Sequence, residues 1–213
     1  MLDLVGCCSQ YGCDEFFSER FARRTARRYR TKGLEKTAAR LRDFLAARGG
    51  GSALEIGGGV GALVAELVRG GVETGVLVEV APVYEPFAHE LFREVGVTVE
   101  FRLADLVSEP EAVEPADLVV LNKVVCCTPD GPALVSAAAN RARVALAFSY
   151  PRDRAAFKAA ARLQNLVFRL AGRRFRVFVH PPAELVAQAE SRGLRLVQER
   201  HGFVWATVGF ERT

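Results

Sequence analysis

The chain has 213 residues, half of them apolar and a quarter charged, with a formal net charge of +4; that describes one sizeable core in one domain or at most two, and excludes collagen, coiled coil and disorder. No run approaches the roughly 20 uninterrupted apolar residues of a bilayer-spanning helix, and the start lacks the basic and long apolar segments of an export signal, so the expected location is the cytoplasm. Residues 1–48 hold 11 cations and 6 acids, residues 49–150 hold 6 and 14, and residues 151–213 hold 12 and 5, so an acidic middle lies between two basic ends.

Asp14 to Arg48 is rich in Arg, Ala, Leu and Phe with few β-branched residues, and Gly33 divides it into two predicted helices, a helical cap over residues 1–48. Ser52 to Ile56 reads as a first strand, Gly57 to Gly61 as the turn after it, and Val60 to Val68 as a helix. Gly75 to Val80 is a second strand, followed after Pro82 by a helix through Glu94. Val97 to Leu103, Ala116 to Leu121 and Val144 to Ser149 are the third, fourth and fifth strands, and Asp130 with Pro132 marks a helix start between the last two. Arg152 to Arg176 carries eight basic residues and one acid, Asp153, at a helical period, and reads as a basic insertion over about 152–178. Pro182 to Arg192 is a further helix. Leu194 to Glu199 and Phe203 to Phe210 are two strands joined at Gly202 as an antiparallel pair. Strands that alternate with helices and are apolar on both faces predict a parallel sheet covered on both sides, over residues 49–213.

The chemistry concentrates in Leu54-Glu55-Ile56-Gly57-Gly58-Gly59-Val60-Gly61, which sets a carboxylate at a strand end and glycines where a ligand approaches backbone. This segment resembles the first motif of the class I S-adenosylmethionine-dependent methyltransferases, acid-x-Gly-x-Gly-x-Gly. Glu55, Gly57, Gly59 and Gly61 match every specified position. The same glycines also fit the Gly-x-Gly-x-x-Ala of a nicotinamide-binding fold through Ala62, and the acid decides between the two: a carboxylate repels a pyrophosphate and attracts an ammonium or sulfonium. Glu79 ends the second strand, where an acid accepts from ribose hydroxyls, and Asp105 follows the third, where the resemblance implies a place near the adenine. Gly58, Val80, Leu106 and Asn122 complete the expected cofactor-binding set. Taken singly, Glu55 also reads as a cap of the next helix, Glu79 as a solvated acid and Asp105 as a loop acid. The resemblance implies a seven-stranded, mostly parallel Rossmann-like sheet of order 3-2-1-4-5-7-6 with an antiparallel last strand, N-terminal helices and a helix inserted after strand 5.

On the acceptor side, Asn122-Lys123-Val124-Val125-Cys126-Cys127-Thr128-Pro129-Asp130 is similar to a segment of small-molecule methyltransferases, and the Asn-Pro-Pro-Tyr motif of DNA amino-methyltransferases is absent. A further likeness, to the magnesium-protoporphyrin O-methyltransferases, rests on Phe16, Phe17, Phe21 and Arg23, on Gly33-Leu34 and Lys36-Thr37, on Cys127-Thr128-Pro129 and on Phe148-Ser149-Tyr150-Pro151-Arg152. It implies a flat or apolar acceptor bearing an anionic group, with O-methylation of an aromatic or tetrapyrrole-like carboxylate among the possibilities; the missing Asn-Pro-Pro-Tyr motif speaks against a DNA partner. Arg152 or Arg154 would clamp a carboxylate, His180 before Pro181-Pro182 is the base for a hydroxyl or amine acceptor, and Tyr150 joins them as a catalytic candidate. His180 reads equally as a packing residue at a helix entrance. His89 and His201 are weaker candidates.

Tyr11, Phe16 and Phe17 are expected as a lid or as core packing. Cys7, Cys8, Cys13, Cys126 and Cys127 are an odd set in a chain without an export signal, expected as reduced thiols rather than a metal site. The rival readings are a nicotinamide-dependent oxidoreductase and a binding module that uses the basic segments Arg20 to Arg48 and Arg152 to Arg176 on RNA or an anionic membrane surface; the intact glycine turn and three acids favour the methyltransferase.

Overall fold

The computed structural model describes residues 12–213. Seven strands form one sheet: β1 (Ser52–Ile56), β2 (Thr74–Glu79), β3 (Val99–Leu103), β4 (Ala116–Leu121), β5 (Ala142–Pro151), β6 (Leu194–His201) and β7 (Trp205–Arg212). Their order is β3-β2-β1-β4-β5-β7-β6, with β1 to β5 parallel and β7 antiparallel to both neighbours, as the sequence led us to expect. The order reverses beside β1, so the carboxyl ends of β1 and β4 diverge around a crevice, the place where open α/β sheets take ligands.

Among the described residues eight α-helices accompany the sheet: α1 (Cys13–Phe16), α2 (Glu19–Lys32), α3 (Lys36–Ala46), α4 (Ala62–Arg69), α5 (Glu85–Val95), α6 (Gly131–Arg141), α7 (Ala155–Leu170) and α8 (Pro182–Glu190). Because strand side chains alternate between faces, Ala53, Leu118, Val120, Ala145 and Ala147 point to one layer, made by α2 to α5. Leu54, Ile56, Val119, Leu121, Leu146 and Phe148 point to the other, made by α6 and α8. The two helices expected as a cap over residues 1–48 therefore share the sheet's core: Ala22 and Ala26 of α2 and Leu41, Phe44 and Leu45 of α3 are buried with the strands.

Several boundaries move, each for a local reason. The leading helix breaks at Phe17, which leaves the helical region, and Ser18, which is extended, and restarts at Glu19. Gly33 ends α2 at φ +67°, with its N–H on the Tyr29 carbonyl, so the predicted break stands there. β5 runs longer at both ends because β4 pairs it on one side and β7 on the other, out to Pro151 opposite Trp205. The Asp130 carboxylate caps α6 by accepting the Ala133 N–H at 2.9 Å, as the Asp-x-Pro pattern predicts. The insertion is helical only over Ala155–Leu170, and none of those residues is buried. Among the described residues no helix is long and apolar enough to cross a membrane.

Gly209 of β7 lies under Phe44 of α3, where an added Cβ would stand 2.4 Å from the ring. Gly209→Ala should therefore cost about 1–3 kcal/mol through forced displacement of Phe44, read as a lower urea midpoint at unchanged slope; an unchanged midpoint would show that the helical layer is loosely held.

Candidate functional site

The turn between β1 and α4 is shaped by its glycines. Gly57 and Gly59 sit at φ +62° and +61°, a region that side chains rarely tolerate, and their faces are already occupied: a Cβ at Gly57 would meet Val124 at 2.7 Å and one at Gly59 would meet Tyr84 at 3.2 Å. Gly58 has no room either, since the Glu55 carboxyl lies 2.3 Å from where its Cβ would be. Gly61 starts α4 and packs on Phe92 and Leu77.

Two carboxylates are buried at this turn. Glu55, 2% exposed, accepts the Val64 N–H at 2.8 Å, so it does cap α4 as the plainer reading had it, while also lining the cavity described below. Burial, helped by the neighbouring Glu79 charge, pushes its pKa up to about 8. Glu79 accepts three backbone N–H groups: Gly59 at 2.9 Å, Val80 at 2.8 Å and Ala81 at 3.1 Å. Those donors hold a charge that burial alone would penalise. Tyr84 stands against the pair, its phenol pushed far above the ordinary range by burial and by Glu79.

Glu55, Gly57, Gly58, Gly59, Glu79, Val80 and Asn122 line one cavity of about 470 Å³. A separate cleft of about 710 Å³ lies along α6 and is lined by Leu106, Asp130 and Asn140. It is larger but holds neither strand-end glutamate, so size does not identify the site. Of the expected cofactor set, Gly61, Asp105 and Leu106 do not line the glutamate cavity; Asp105 is buried and accepts the Val107 N–H at 3.0 Å.

The expected catalytic side chains stand elsewhere, each held by a local partner. His180 Nε2 lies 3.1 Å from the Thr128 carbonyl, an acceptor only, so that nitrogen carries the proton; the ring packs over Gly131 and beside Phe178. Tyr150 is buried and donates to Glu199 at 2.9 Å, and Arg152 donates to the Gly202 carbonyl at 3.2 Å. None of the three lines the cavity. Arg154 is an exposed cap residue of α7, and His89 and His201 are exposed beside Glu85 and Glu199. His180, Tyr150 and Arg152 share one reason: the fold uses them to hold turns and strand ends.

Of the other wall, the sequence points to the segment after β4 but not to the residues of α2 or to Glu35. Arg24, Thr25, Arg28 and Tyr29 of α2 and Glu35 before α3 line the cavity, together with Lys123, Val124 and Cys127 after β4. Glu35 pairs with Lys123 and accepts from Asn122 Nδ2 at 3.4 Å. Lys123, at φ +62°, is the one described non-glycine residue in that region; its N–H donates to buried Ser149 at 2.8 Å, and Ser149 donates to Asn122 Oδ1 at 3.1 Å. Arg23 and Arg30 pair with glutamates, whereas Arg24 and Arg28, one turn apart on the cavity side, have no ion-pair partner among the described residues. The available signals were the four-residue spacing of those arginines and the place of Lys123 directly after a strand end. Phe17 lines the cavity and Phe16 stacks on Phe175 at 4.3 Å. Cys126 and Cys127 have sulfurs 3.9 Å apart, and no metal-ligating cluster occurs among the described residues. Cys7, Cys8 and Tyr11 lie outside the described residues.

Chemically, the turn offers two buried carboxyl groups to a ligand with a cationic centre and hydroxyls, and the Glu79 charge opposes a phosphate. The helical wall offers the reverse charge.

Residues 26–199 match the sequence profile of a family described as a methyltransferase domain. No protein of curated function matches the chain. Among solved structures, magnesium protoporphyrin IX methyltransferase from Synechocystis PCC 6803 with bound SAH superposes with a TM-score of 0.74 at 16% identity, over 94% of this chain and 98% of that one. An O-methyltransferase family protein from Burkholderia thailandensis gives 0.73 at 17% identity, over 98% and 63%. The N-methyltransferase NodS from Bradyrhizobium japonicum WM9 gives 0.60 at 16%, over 82% and 85%.

Glu55 yields a signed prediction. Its folded pKa of about 8 exceeds its ordinary 4.5, so the folded chain keeps a proton that the unfolded chain gives up between those values, and stability falls as pH rises through that window. The thermal midpoint without ligand should decline from about pH 5 to 8, with a flatter profile in Glu55→Gln; parallel profiles would contradict the assignment.

Proposed function

The chain belongs to the methyltransferase domain family, and on that premise we propose that it moves a methyl group from S-adenosylmethionine to a small-molecule acceptor bearing an anionic group. The observation that carries this reading is one cavity with opposite walls: buried Glu55 and Glu79 in the glycine cradle, and Arg24 and Arg28 facing them without ion-pair partners among the described residues. The proposed cofactor set is Glu55, Gly57, Gly58, Gly59, Glu79, Val80 and Asn122, with Gly61 setting the start of α4, and Asp105 and Leu106 extending the same row of strand ends.

When bound, S-adenosylmethionine supplies a methyl group on a cationic sulfur, already activated for transfer. The residues of this chain bind and orient. Glu79, its carboxylate fixed by three backbone N–H groups, is set to accept from ribose hydroxyls. Glu55 favours the cofactor's positive charge, and its tie to Val64 keeps it in place. Phe17, Phe21, Leu34 and Tyr29 give the acceptor an apolar wall that limits water. Arg24 and Arg28 offer an acceptor carboxylate charge-assisted hydrogen bonds. A carboxylate acceptor needs no base, which agrees with His180 being engaged by Thr128 outside the cavity. A nicotinamide dinucleotide is disfavoured because its pyrophosphate would meet the Glu79 charge and gain nothing from Glu55, which without a cationic partner keeps its proton up to about pH 8. The cytoplasmic setting remains part of this proposal, supported by the free thiols of Cys126 and Cys127.

The test is methyl transfer to a panel of aromatic carboxylates and their neutral amides, with product mass as readout. Carboxylates should be methylated and amides not. Arg28→Ala should raise KM for the carboxylate about tenfold while leaving cofactor affinity unchanged. Equal turnover of the amides, or a loss of cofactor binding in Arg28→Ala, would remove the anionic-acceptor reading.

A further inference from the structure

α7 follows β5 as a helix of 16 residues with none buried. Leu163, Leu166, Val167 and Leu170 fall at i, i+3, i+4 and i+7, one continuous stripe, and all four are exposed, Leu163 at 63% and Leu170 at 79%. Phe203, 82% exposed on the turn between β6 and β7, stands beside the same helix through an edge contact with Phe157 at 5.9 Å. An apolar strip on this scale left in water is the mark of a contact surface rather than of ordinary surface leucines.

The flanks of the stripe tell what covers it. From Arg152 to Arg176 there are eight cations against one acid, Asp153, which Lys158 already pairs. Arg162 and Arg169 are exposed and have no ion-pair partner among the described residues. A second copy of the same face would bring two such cationic fields together and would be repelled. RNA matches the charge but leaves the leucines unused. A bilayer with anionic headgroups matches both: apolar side chains enter the acyl boundary while arginines stay at phosphate level. We propose that α7 and Phe203 form an interfacial docking surface for an anionic lipid bilayer, so that the protein works lying on a membrane surface. This goes beyond the methyl-transfer reading and does not depend on the acceptor. It also reverses the sequence expectation that a membrane surface is disfavoured; the exposed stripe is what the basic charge count alone did not reveal.

The test is cosedimentation of the full chain with vesicles of phosphatidylcholine alone and with added phosphatidylglycerol. Binding should require the anionic lipid and weaken with salt. Leu166→Glu with Leu170→Glu, and separately Arg162→Glu with Arg169→Glu, should each lower the partition coefficient about tenfold or more, at an unchanged thermal midpoint because the replaced side chains are exposed. Failure to sediment with anionic vesicles, or equal binding to both kinds, would overturn the proposal. So would a wild-type dimer that the leucine variant turns into a monomer. RNA binding that survives the leucine substitutions and displaces the protein from vesicles would assign the face to nucleic acid instead.

Discussion

Two carboxylates are buried within one turn of backbone at the ends of β1 and β2, and the site is organised around keeping them there. Unpaired carboxylates are costly away from water, so the chain answers with N–H donors: Val64 at the start of α4 for Glu55, and Gly59, Val80 and Ala81 for Glu79. That arrangement needs the glycines, because Gly58 must leave room for the Glu55 carboxyl and Gly59 must turn its N–H toward Glu79 beside the Tyr84 ring. Burial and the neighbouring Glu79 charge raise the Glu55 pKa in spite of those donors, and a cationic ligand would favour its ionised form.

The opposite wall follows from how the N-terminal helices are anchored. α3 is tied into the core by Leu41, Phe44 and Leu45, and Glu35 at its start pairs with Lys123 beyond β4. This clasp joins the start of α3 to the loop after β4, and Arg24 and Arg28 of α2 line the same cavity as the glutamates. Lys123 takes a strained left-handed conformation to do so, held by Ser149 and Asn122, the kind of local cost that persists where surrounding structure enforces it. The charge asymmetry of the chain thus has a spatial meaning: the acidic middle supplies the strand-end carboxylates, and the basic ends supply one wall of the cavity and the surface of α7.

The sheet was legible because its rules are local. Apolar strands, glycine turns and helix starts such as Asp130-Gly131-Pro132 fall where periodicity and capping chemistry put them, and the strand order follows from a resemblance carried by Glu55, Gly57, Gly59 and Gly61. Glu79 and Asn122 were likewise read from strand ends, and both line the cavity. The second wall was not legible because it depends on tertiary packing. Nothing local tells Arg24 and Arg28 from Arg23 and Arg30, whose charges are taken by Glu19, Glu90 and Glu94. His180, Arg152 and Tyr150 looked chemical in sequence, yet Thr128, Gly202 and Glu199 claim them in the fold. The helix after β5 was legible from its helical period, but only its exposure in three dimensions gave the apolar stripe a meaning.

The central claim is that the buried Glu55 and Glu79 define a site for a cationic, phosphate-free cofactor. The most direct measurement is calorimetric titration of the chain with S-adenosylmethionine and with NAD, repeated on Glu79→Ala. The account predicts micromolar binding of the first alone, lost in the variant, with the folded state of the variant checked by circular dichroism. Binding of NAD, or cofactor binding that survives the loss of Glu79, would contradict it.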